Sequence, residues 1–144
     1  MIKIAIILGS TRPNRNGEAV AKWVYEVAKK RSDAEFELVD IKDFNLPLLD
    51  EPVFAEWSNK AAGFVSYGGA SGARAVEQLR LNLAEVQMAT VRNQVLLSMY
   101  TDFENFSVFK PDPRKETSVN DMLGQLIAWG GALRTLRKTS AKNQ

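Results

Sequence analysis

Hydrophobic positions along the chain fall into short apolar runs separated by stretches with helical periodicity. Ile2–Leu8 is a continuous, largely β-branched run, typical of a strand buried on both faces of a parallel sheet. Gly17–Lys30 then carries its apolar residues on one helical stripe, and Glu35–Asp40 predicts a second strand. Strand, helix and strand within about 40 residues indicate a βαβ unit with a right-handed crossover.

The remaining pattern repeats this alternation after a connector. Residues 44–60 contain two prolines and no sustained period, so we expect an extended, partly buried connector there. The later predicted elements are a strand at Ala61–Tyr67, a helix at Ala73–Val86, a strand at Thr90–Ser98, a loop at Tyr100–Glu116 and a helix at Ser118–Leu136. Thr117 or Ser118 is the expected N-cap of the last helix. Its inward stripe is expected to comprise Val119, Met122, Leu126, Trp129 and Leu133. These elements predict the α/β class, with one domain over residues 1–137 and a polar tail over 138–144.

Composition and charge narrow the possible functions. A chain of 144 residues with 45% hydrophobic residues is sufficient for one domain with a core. Its net charge of +2 is far below the strong excess of positive charge typical of a nucleic-acid-binding protein. No apolar run is long enough to span a membrane. The N-terminus does not resemble a signal peptide and there is no cysteine, so we expect a cytoplasmic protein without nucleic-acid or membrane partners.

The absence of histidine and cysteine excludes several kinds of catalytic site. Ser-His-Asp and Cys-His catalysis, a cysteine phosphatase, and imidazole or thiolate metal sites all require residues that the chain lacks. An enzyme of this composition must use its carboxylates or a bound cofactor, and the cofactor is the better hypothesis. We therefore assign no catalytic residue and no metal ligand.

The sequence GSTRPNRNG, residues 9–17, follows the first strand directly and opens the first helix. Free N–H groups at a helix start favour an anion, the hydroxyls of Ser10 and Thr11 can donate, and Arg12 and Arg15 can pair with phosphate oxygens. Gly17 allows close approach of the backbone. The loop therefore predicts a phosphate site, although neither common nucleotide-binding glycine motif is present. The alternative is an ordinary turn with solvated arginines.

A second glycine-rich loop, SYGGASGAR at residues 66–74, follows the third predicted strand. In one interpretation the backbone amides of Gly68 and Gly69 meet the edge of a flat ligand, with Tyr67 stacking beside it. In the other it is a tight turn in which Ser71 caps the next helix. The sequence alone does not decide between these two interpretations.

Three segments carry a resemblance to a known family. IKIAIILGSTRPNRNGEAVAKWV, EWSNKAAGFVSYGGASGARAVEQLR and YTDFENF resemble the NADPH-dependent FMN reductases, a flavodoxin-like family that includes azo-, chromate- and quinone-reducing enzymes. The resemblance implies that Ser10, Arg12, Arg15 and Gly17 grip the FMN phosphate, joined by Thr11 and Asn16. It also implies that Tyr67, Gly68 and Gly69 border the isoalloxazine ring, and that FMN and NADPH are the cofactors.

One departure from the family pattern bears on the fold. Family members carry a further strand-helix unit, whose Pro-Glu-Tyr-Asn loop contacts the flavin ring. In this chain the unit is absent, and LPLLDEPVFA is followed directly by EWSNKAAGFV. We expect an open parallel sheet reduced to four strands, with helices on both faces. In flavodoxin numbering the order would be 2-1-4-5, so that Ile2–Leu8 pairs with Ala61–Tyr67. Loss of the helix of this unit would expose apolar surface on one face of the sheet, which would favour dimerisation or binding of a partner.

These observations leave more than one hypothesis for function. The first is an NAD(P)H-dependent FMN reductase that passes electrons through FMN to a flavin, quinone or azo-type acceptor, and that forms a homodimer or tetramer as the family tends to do. The second is a non-enzymatic flavodoxin-like remnant that binds a phosphate ligand or a protein partner because the wall of the ring pocket is missing. Electron transfer alone is a third, disfavoured because the near-neutral charge lacks the acidity that steers such carriers.

Overall fold

Helices and strands alternate along the chain in the computed structural model, which describes residues 1–44 and 54–140. The elements are β1 (Ile2–Leu8), α1 (Gly17–Ala28), β2 (Ala34–Asp40), a 3-10 turn (Ile41–Phe44), α2 (Phe54–Trp57), β3 (Ala61–Gly68), α3 (Ala73–Glu85), β4 (Ala89–Ser98), β5 (Phe103–Glu104), β6 (Val108–Phe109) and α4 (Lys115–Ser140). The predicted α/β class is confirmed, and parallel strands flanked by helices are consistent with a flavodoxin-like fold. Residues 45–53 of the expected connector and 141–144 of the expected tail lie outside the described residues.

The four longer strands form two separate parallel ladders. β1 pairs with β2 from Ile2↔Ala34 to Leu8↔Asp40, and β3 pairs with β4, with one register shift between Ala62 and Phe64. Within residues 1–44 and 54–140, no ladder joins β1 to β3. The expectation that these two strands close up into the single order 2-1-4-5 is therefore wrong.

The helices follow the division of the strands into two ladders. α1 packs on β1 and β2, α4 packs on β3 and β4, and the two helices contact each other. Packed helices lie about 8–10 Å apart, whereas hydrogen-bonded strands lie only about 4.8 Å apart. Each helix thus covers about the width of one two-stranded ladder, and no strand of residues 1–44 and 54–140 joins β1 to β3.

The two ladders also differ in how their faces are covered. In β3, Gly63 faces Met122 of α4, whereas the ring of the next residue, Phe64, lies beneath Arg80 of α3 at 4.7 Å. The β3–β4 ladder thus has helices on both faces. In β1 exposed and less exposed residues alternate, and Ile7 is 54% exposed. The prediction that this strand is buried on both faces is wrong, because α1 and α4 pack against it while Lys3, Ala5 and Ile7 are exposed.

The hydrophobic core lies between the helices and the strands. α1, β4 and α4 supply most of it, through Val20, Val24, Val27, Val91, Val95, Leu97, Val119, Met122 and Leu123. α4 begins at Lys115, so the expectation of an N-cap at Thr117 or Ser118 is wrong, and it continues to Ser140. Trp129 was expected to face inward, but it is 48% exposed because the core ends before this turn of the long helix.

A small antiparallel hairpin, β5–β6, interrupts the loop predicted at Tyr100–Glu116. Asp102 anchors it as a fully buried carboxylate that accepts hydrogen bonds from the N–H groups of Ser98 (2.8 Å) and Asp112 (3.2 Å). The Asp102 carbonyl also accepts the N–H of Lys110. The hairpin is thereby fixed beside the carboxyl end of β4.

Candidate functional site

Two loops and the hairpin meet at one end of the molecule. The loop 9–16 follows β1, the loop 68–72 follows β3, and the hairpin β5–β6 follows β4. Asn16 donates from its side-chain amide to the carbonyl of Phe106 at 3.0 Å, which joins the first loop to the hairpin. Tyr100 lies next to Gly69, with its hydroxyl 3.6 Å from the position that a Cβ would occupy. Ligands of open α/β folds bind at this end, beyond the carboxyl ends of the strands.

Arg15 is held inside the first loop. Its guanidinium donates to the carboxylate of Asp40, with Nη1 3.0 Å from Oδ1, and also to the carbonyl oxygen of Ser10. The Arg15 side chain is only 8% exposed, and the hydrogen bond that Asp40 accepts from it lowers the pKa of that carboxyl below its ordinary value. Arg15 therefore ties the loop to the end of β2 and neutralises the carboxylate beside it.

Three other donor side chains of the loop have no partner among the described residues. The hydroxyls of Ser10 and Thr11 and the guanidinium of Arg12 make no side-chain hydrogen bond or ion pair with residues 1–44 or 54–140. Thr11 and Arg12 are exposed, and Ser10 is half-buried. Arg12 is thus a solvent-accessible cation beside two hydroxyls, which suits an anion.

The start of α1 adds backbone donors to this group. Asn16 occupies the N-cap position without a side-chain hydrogen bond to the helix, so the first N–H groups of α1 have no cap. Glu18, in the first turn, is paired with Lys22 at 2.7 Å, which reduces its repulsion of an anion. An uncapped helix start next to Arg12 is a suitable environment for a phosphate.

Gly17 serves packing at this position. A Cβ there would lie 2.9 Å from Cδ1 of Leu8 and 3.3 Å from the hydroxyl of Tyr67. Glycine is therefore required for α1 to approach the ends of β1 and β3 this closely. The half-buried Tyr67 fills the space between the two strand ends and packs against Phe103, with the ring centroids 5.6 Å apart.

The second loop is a tight turn that is fixed by its own backbone. The Gly68 carbonyl accepts the N–H groups of Ser71 and Met99, both at 3.0 Å. Gly72 has a φ of +71°, and a Cβ there would lie 2.8 Å from the Cβ of Ser66. The expectation that Ser71 caps α3 is wrong, because Gly72 occupies the N-cap position and no side chain caps the helix.

Two aromatic side chains form an exposed rim beside the loops. Tyr100 is 71% exposed and Phe106 is 58% exposed, and their rings meet edge to face with centroids 5.7 Å apart. Phe106 has a φ of +57°, which is uncommon for a bulky residue, and its carbonyl accepts the hydrogen bond from Asn16. The two exposed rings thus form an apolar rim beside the loops, with one ring perpendicular to the other.

Sequence reasoning missed Asp40 as a residue that organises the site, and it missed the contact that Phe106 makes with Asn16. The signal for Asp40 was present, because parallel pairing of the first two strands places it opposite Leu8, directly before the arginine-containing loop. The contact between Phe106 and Asn16 joins positions 90 residues apart, and the sequence has no local pattern that indicates it.

Comparison with known proteins supplies independent information. The family model described as "NADPH-dependent FMN reductase" matches residues 2–55 and 52–102. The chain belongs to this family. FMN and NAD(P)H are the cofactors after which the family and its curated members are named.

Two curated relatives match a shorter stretch. The NAD(P)H-dependent FMN reductase ntnL of Nectria sp is 53% identical over 55 residues, which are 37% of this chain and 27% of that protein. An NAD(P)H-dependent FMN reductase of Schizosaccharomyces pombe is 40% identical over 50 residues, 35% of this chain and 25% of that protein. The matched stretch is thus about a quarter of the length of each curated relative.

The described residues of this family member fit the phosphate end of FMN. Arg12, two hydroxyls and an uncapped helix start lie in one short segment, and none of these side chains has a partner among residues 1–44 and 54–140. Of the nearby carboxylates, Asp40 is paired with Arg15 and Glu18 with Lys22. Gly69 provides a backbone edge nearby, and Tyr100 and Phe106 provide exposed apolar rings. No helix of residues 1–44 and 54–140 combines the length and hydropathy needed to cross a bilayer.

Proposed function

We propose that this chain binds FMN and acts as an NAD(P)H-dependent FMN reductase that passes electrons to a small-molecule acceptor. The observation that carries the proposal is the loop 9–16, which lies in a segment matched by the family model. Its Arg12 guanidinium and its two hydroxyls have no partner among residues 1–44 and 54–140. Bound FMN would supply the redox chemistry, accepting a hydride from NAD(P)H and passing the electrons on. No residue is assigned as a catalytic acid or base.

We propose different roles for the two arginines of the loop. Arg12, which is exposed and unpaired within the described residues, contacts the phosphate together with Ser10, Thr11 and the first N–H groups of α1. Arg15 positions the loop through Asp40 and the Ser10 carbonyl, and Asn16 does so through Phe106. The sequence interpretation gave Arg15 and Asn16 direct contacts with phosphate; their partners in the structure favour this indirect role.

The flavin ring would lie against the second loop and the aromatic rim. Gly69 has ordinary space around its Cα, so its backbone can meet a flat edge, and Tyr100 is adjacent. Tyr67 supports this edge by packing on Gly17. Gly68 supports it through the hydrogen bonds that its carbonyl accepts in the turn. A flavin, quinone or azo compound remains the proposed class of acceptor, and the homo-oligomeric state and cytoplasmic location stay predictions.

The separation of β1 and β3 favours the second hypothesis, the non-enzymatic remnant. No strand of the described residues joins β1 to β3, so the sheet is interrupted next to the two loops that follow these strands. A remnant of this kind would keep the phosphate site without a complete pocket for the ring. The two hypotheses therefore differ in how tightly the ring is held.

The deciding experiment titrates the flavin-free chain with FMN, riboflavin and inorganic phosphate. Saturable quenching of FMN fluorescence, with riboflavin binding at least about tenfold more weakly, is expected for a site that uses both the phosphate and the ring. Turnover of NADPH by the FMN-loaded chain would then establish the reductase. Equal binding of FMN and phosphate without turnover would support the remnant, and no binding of either would refute both hypotheses.

A further inference from the structure

The gap between the two ladders is an apolar cleft. Its walls are residues 4–10 on the β1 side and Gly63, Val65 and Tyr67 on the β3 side, and its floor is formed by α1 and α4. The floor residues are Val20, Ala21, Val24, Met122, Leu123 and Leu126. The cleft holds about 220 Å³, several times the roughly 30 Å³ that one water molecule occupies, so it is more than a packing defect. None of the described residues that line it has a charged side chain.

The walls of the cleft carry backbone groups that lack partners in the sheet. β1 is paired only with β2, and β3 only with β4, among residues 1–44 and 54–140. Among the described residues, the opposite edge of each strand therefore has no ladder partner, and this edge borders the cleft. Unpaired strand edges are templates for an added strand, and this cleft has two of them facing each other.

The cleft is covered on one side only. α1 and α4 form its floor, and no residue of α3 lines it. Along β1, Ile4 and Leu8 are buried toward the floor, whereas Ala5 and Ile7 are exposed on the other face. A strand lying between β1 and β3 would turn alternate side chains toward an apolar floor and the others toward solvent.

We propose that this cleft, here termed the strand slot, binds an extended segment of a separate polypeptide as an added strand between β1 and β3. Only a polypeptide backbone can satisfy both rows of edge groups, because a lipid or an apolar small molecule would cover the floor and leave those groups unpaired. A second copy of this chain is disfavoured, since its described long strands are already paired within its own ladders. The occupant is amphipathic, with apolar residues at alternate positions over about five to seven residues.

The first test uses a synthetic peptide of about nine residues in which valine alternates with threonine or lysine, with both ends blocked. Amide hydrogen exchange of the intact chain is measured with and without it. Slowing by at least about tenfold in both β1 and β3 is expected, because the peptide would pair with both edges. The matched control replaces the central valine by proline, which removes a backbone donor and should abolish the protection.

The second test locates the peptide by disulfide trapping. The chain has no cysteine, so one introduced thiol reports one position. Ala5 and Glu37 are paired in register and both are exposed on the open face, which makes Ala5→Cys the slot variant and Glu37→Cys its matched control. With one cysteine on the solvent face of the peptide, Ala5→Cys is expected to be trapped at least about tenfold faster than Glu37→Cys, because β2 lies between Glu37 and the slot.

Several outcomes would overturn the proposal. If the peptide slows amide exchange only in β2 or β4, or if both cysteine variants are trapped equally fast, the peptide adds to an outer edge of a ladder and not to the slot. If the amides of β1 and β3 exchange slowly in the isolated monomer, another part of the chain closes the slot. If the same slow exchange appears in a dimer without peptide, the second copy is the occupant. Absence of peptide binding to the folded chain would also refute it. None of these readouts involves flavin, so they are independent of the proposed reductase activity.

Discussion

Arg15 and Asp40 join the first loop to the end of the second strand. The Nη1 atom of Arg15 lies 3.0 Å from Oδ1 of Asp40, and the same guanidinium also donates to the Ser10 carbonyl. Asp40 in turn accepts the N–H of Lys42 at 3.0 Å. The parallel register that sets Asp40 opposite Leu8 brings this carboxylate within reach of the loop. One ion pair thus fixes the path of a loop in which few other side chains have partners.

This pair should make stability depend on pH in the acid range. The hydrogen bond from Arg15 lowers the pKa of Asp40 below its ordinary value of 3.8. The unfolded chain therefore binds a proton at Asp40 before the folded chain does, so the contribution is complete above pH 3.8 and is lost as pH falls through the lower, folded pKa. Urea unfolding of the wild type and Asp40→Asn at stepwise lower pH should show a shallower acid loss in the variant. Parallel curves would contradict this assignment.

Arg12 should contribute to FMN affinity without contributing to stability. It is exposed and has no ion-pair partner among residues 1–44 and 54–140, so Arg12→Ala should leave the urea midpoint unchanged. Loss of a charged hydrogen bond to phosphate should weaken FMN binding by about 10- to 100-fold and leave riboflavin binding unaltered. Fluorescence titration measures both affinities.

Arg15→Ala is the matched comparison for Arg12. This variant should lower the urea midpoint, because the Asp40 carboxylate and the Ser10 carbonyl lose their partner. If Arg15→Ala weakens FMN binding while Arg12→Ala does not, the roles proposed for the two arginines are reversed.

The hydrophobic pattern predicted the secondary structure well for elements whose pattern is visible within their own sequence. β1 matches its predicted bounds, and the stripe of α1 that carries Val20, Val24 and Val27 is buried as expected. The absence of pairing between β1 and β3 was not predictable in the same way, because strand pairing depends on contacts between distant segments and not on the local pattern. The exposure of Ile7 has the same origin, since a β-branched run does not reveal whether a helix covers its second face.

The candidate site was predictable as a location and less so in its internal contacts. The glycines and arginines of residues 9–17 indicate an anion site because of their chemistry and their place at a helix start. Whether an arginine faces the ligand or a neighbouring carboxylate is decided by the next strand, which carries Asp40. The loop sequence alone therefore could not separate the roles of Arg12 and Arg15.

Two glycines of the helices should respond oppositely to alanine. At Gly17 a Cβ would lie 2.9 Å from Leu8, so Gly17→Ala should destabilise the fold by about 1–3 kcal/mol through overpacking. At Gly131, inside α4, a Cβ would meet nothing within 4 Å, and Gly131→Ala should stabilise by about 0.4–1 kcal/mol because the unfolded chain loses conformational freedom. Urea unfolding of both variants measures the difference. Equal effects would show that α1 can move away from β1 without cost.

Asp102 should be required for the position of the hairpin beside the site. Its buried carboxylate accepts the N–H groups of Ser98 and Asp112, and the Nζ atom of Lys115 lies 3.9 Å away. Asp102→Ala leaves those donors without a partner and should cost about 1–3 kcal/mol in the free energy of unfolding. Because the same hairpin carries Phe106, which holds Asn16, exchange of the amides in loop 9–16 should accelerate as well. Asp121→Ala, at an exposed position of α4, is the control. If Asp102→Ala lowers stability but leaves loop exchange unchanged, the hairpin supports the core alone and does not hold the phosphate loop.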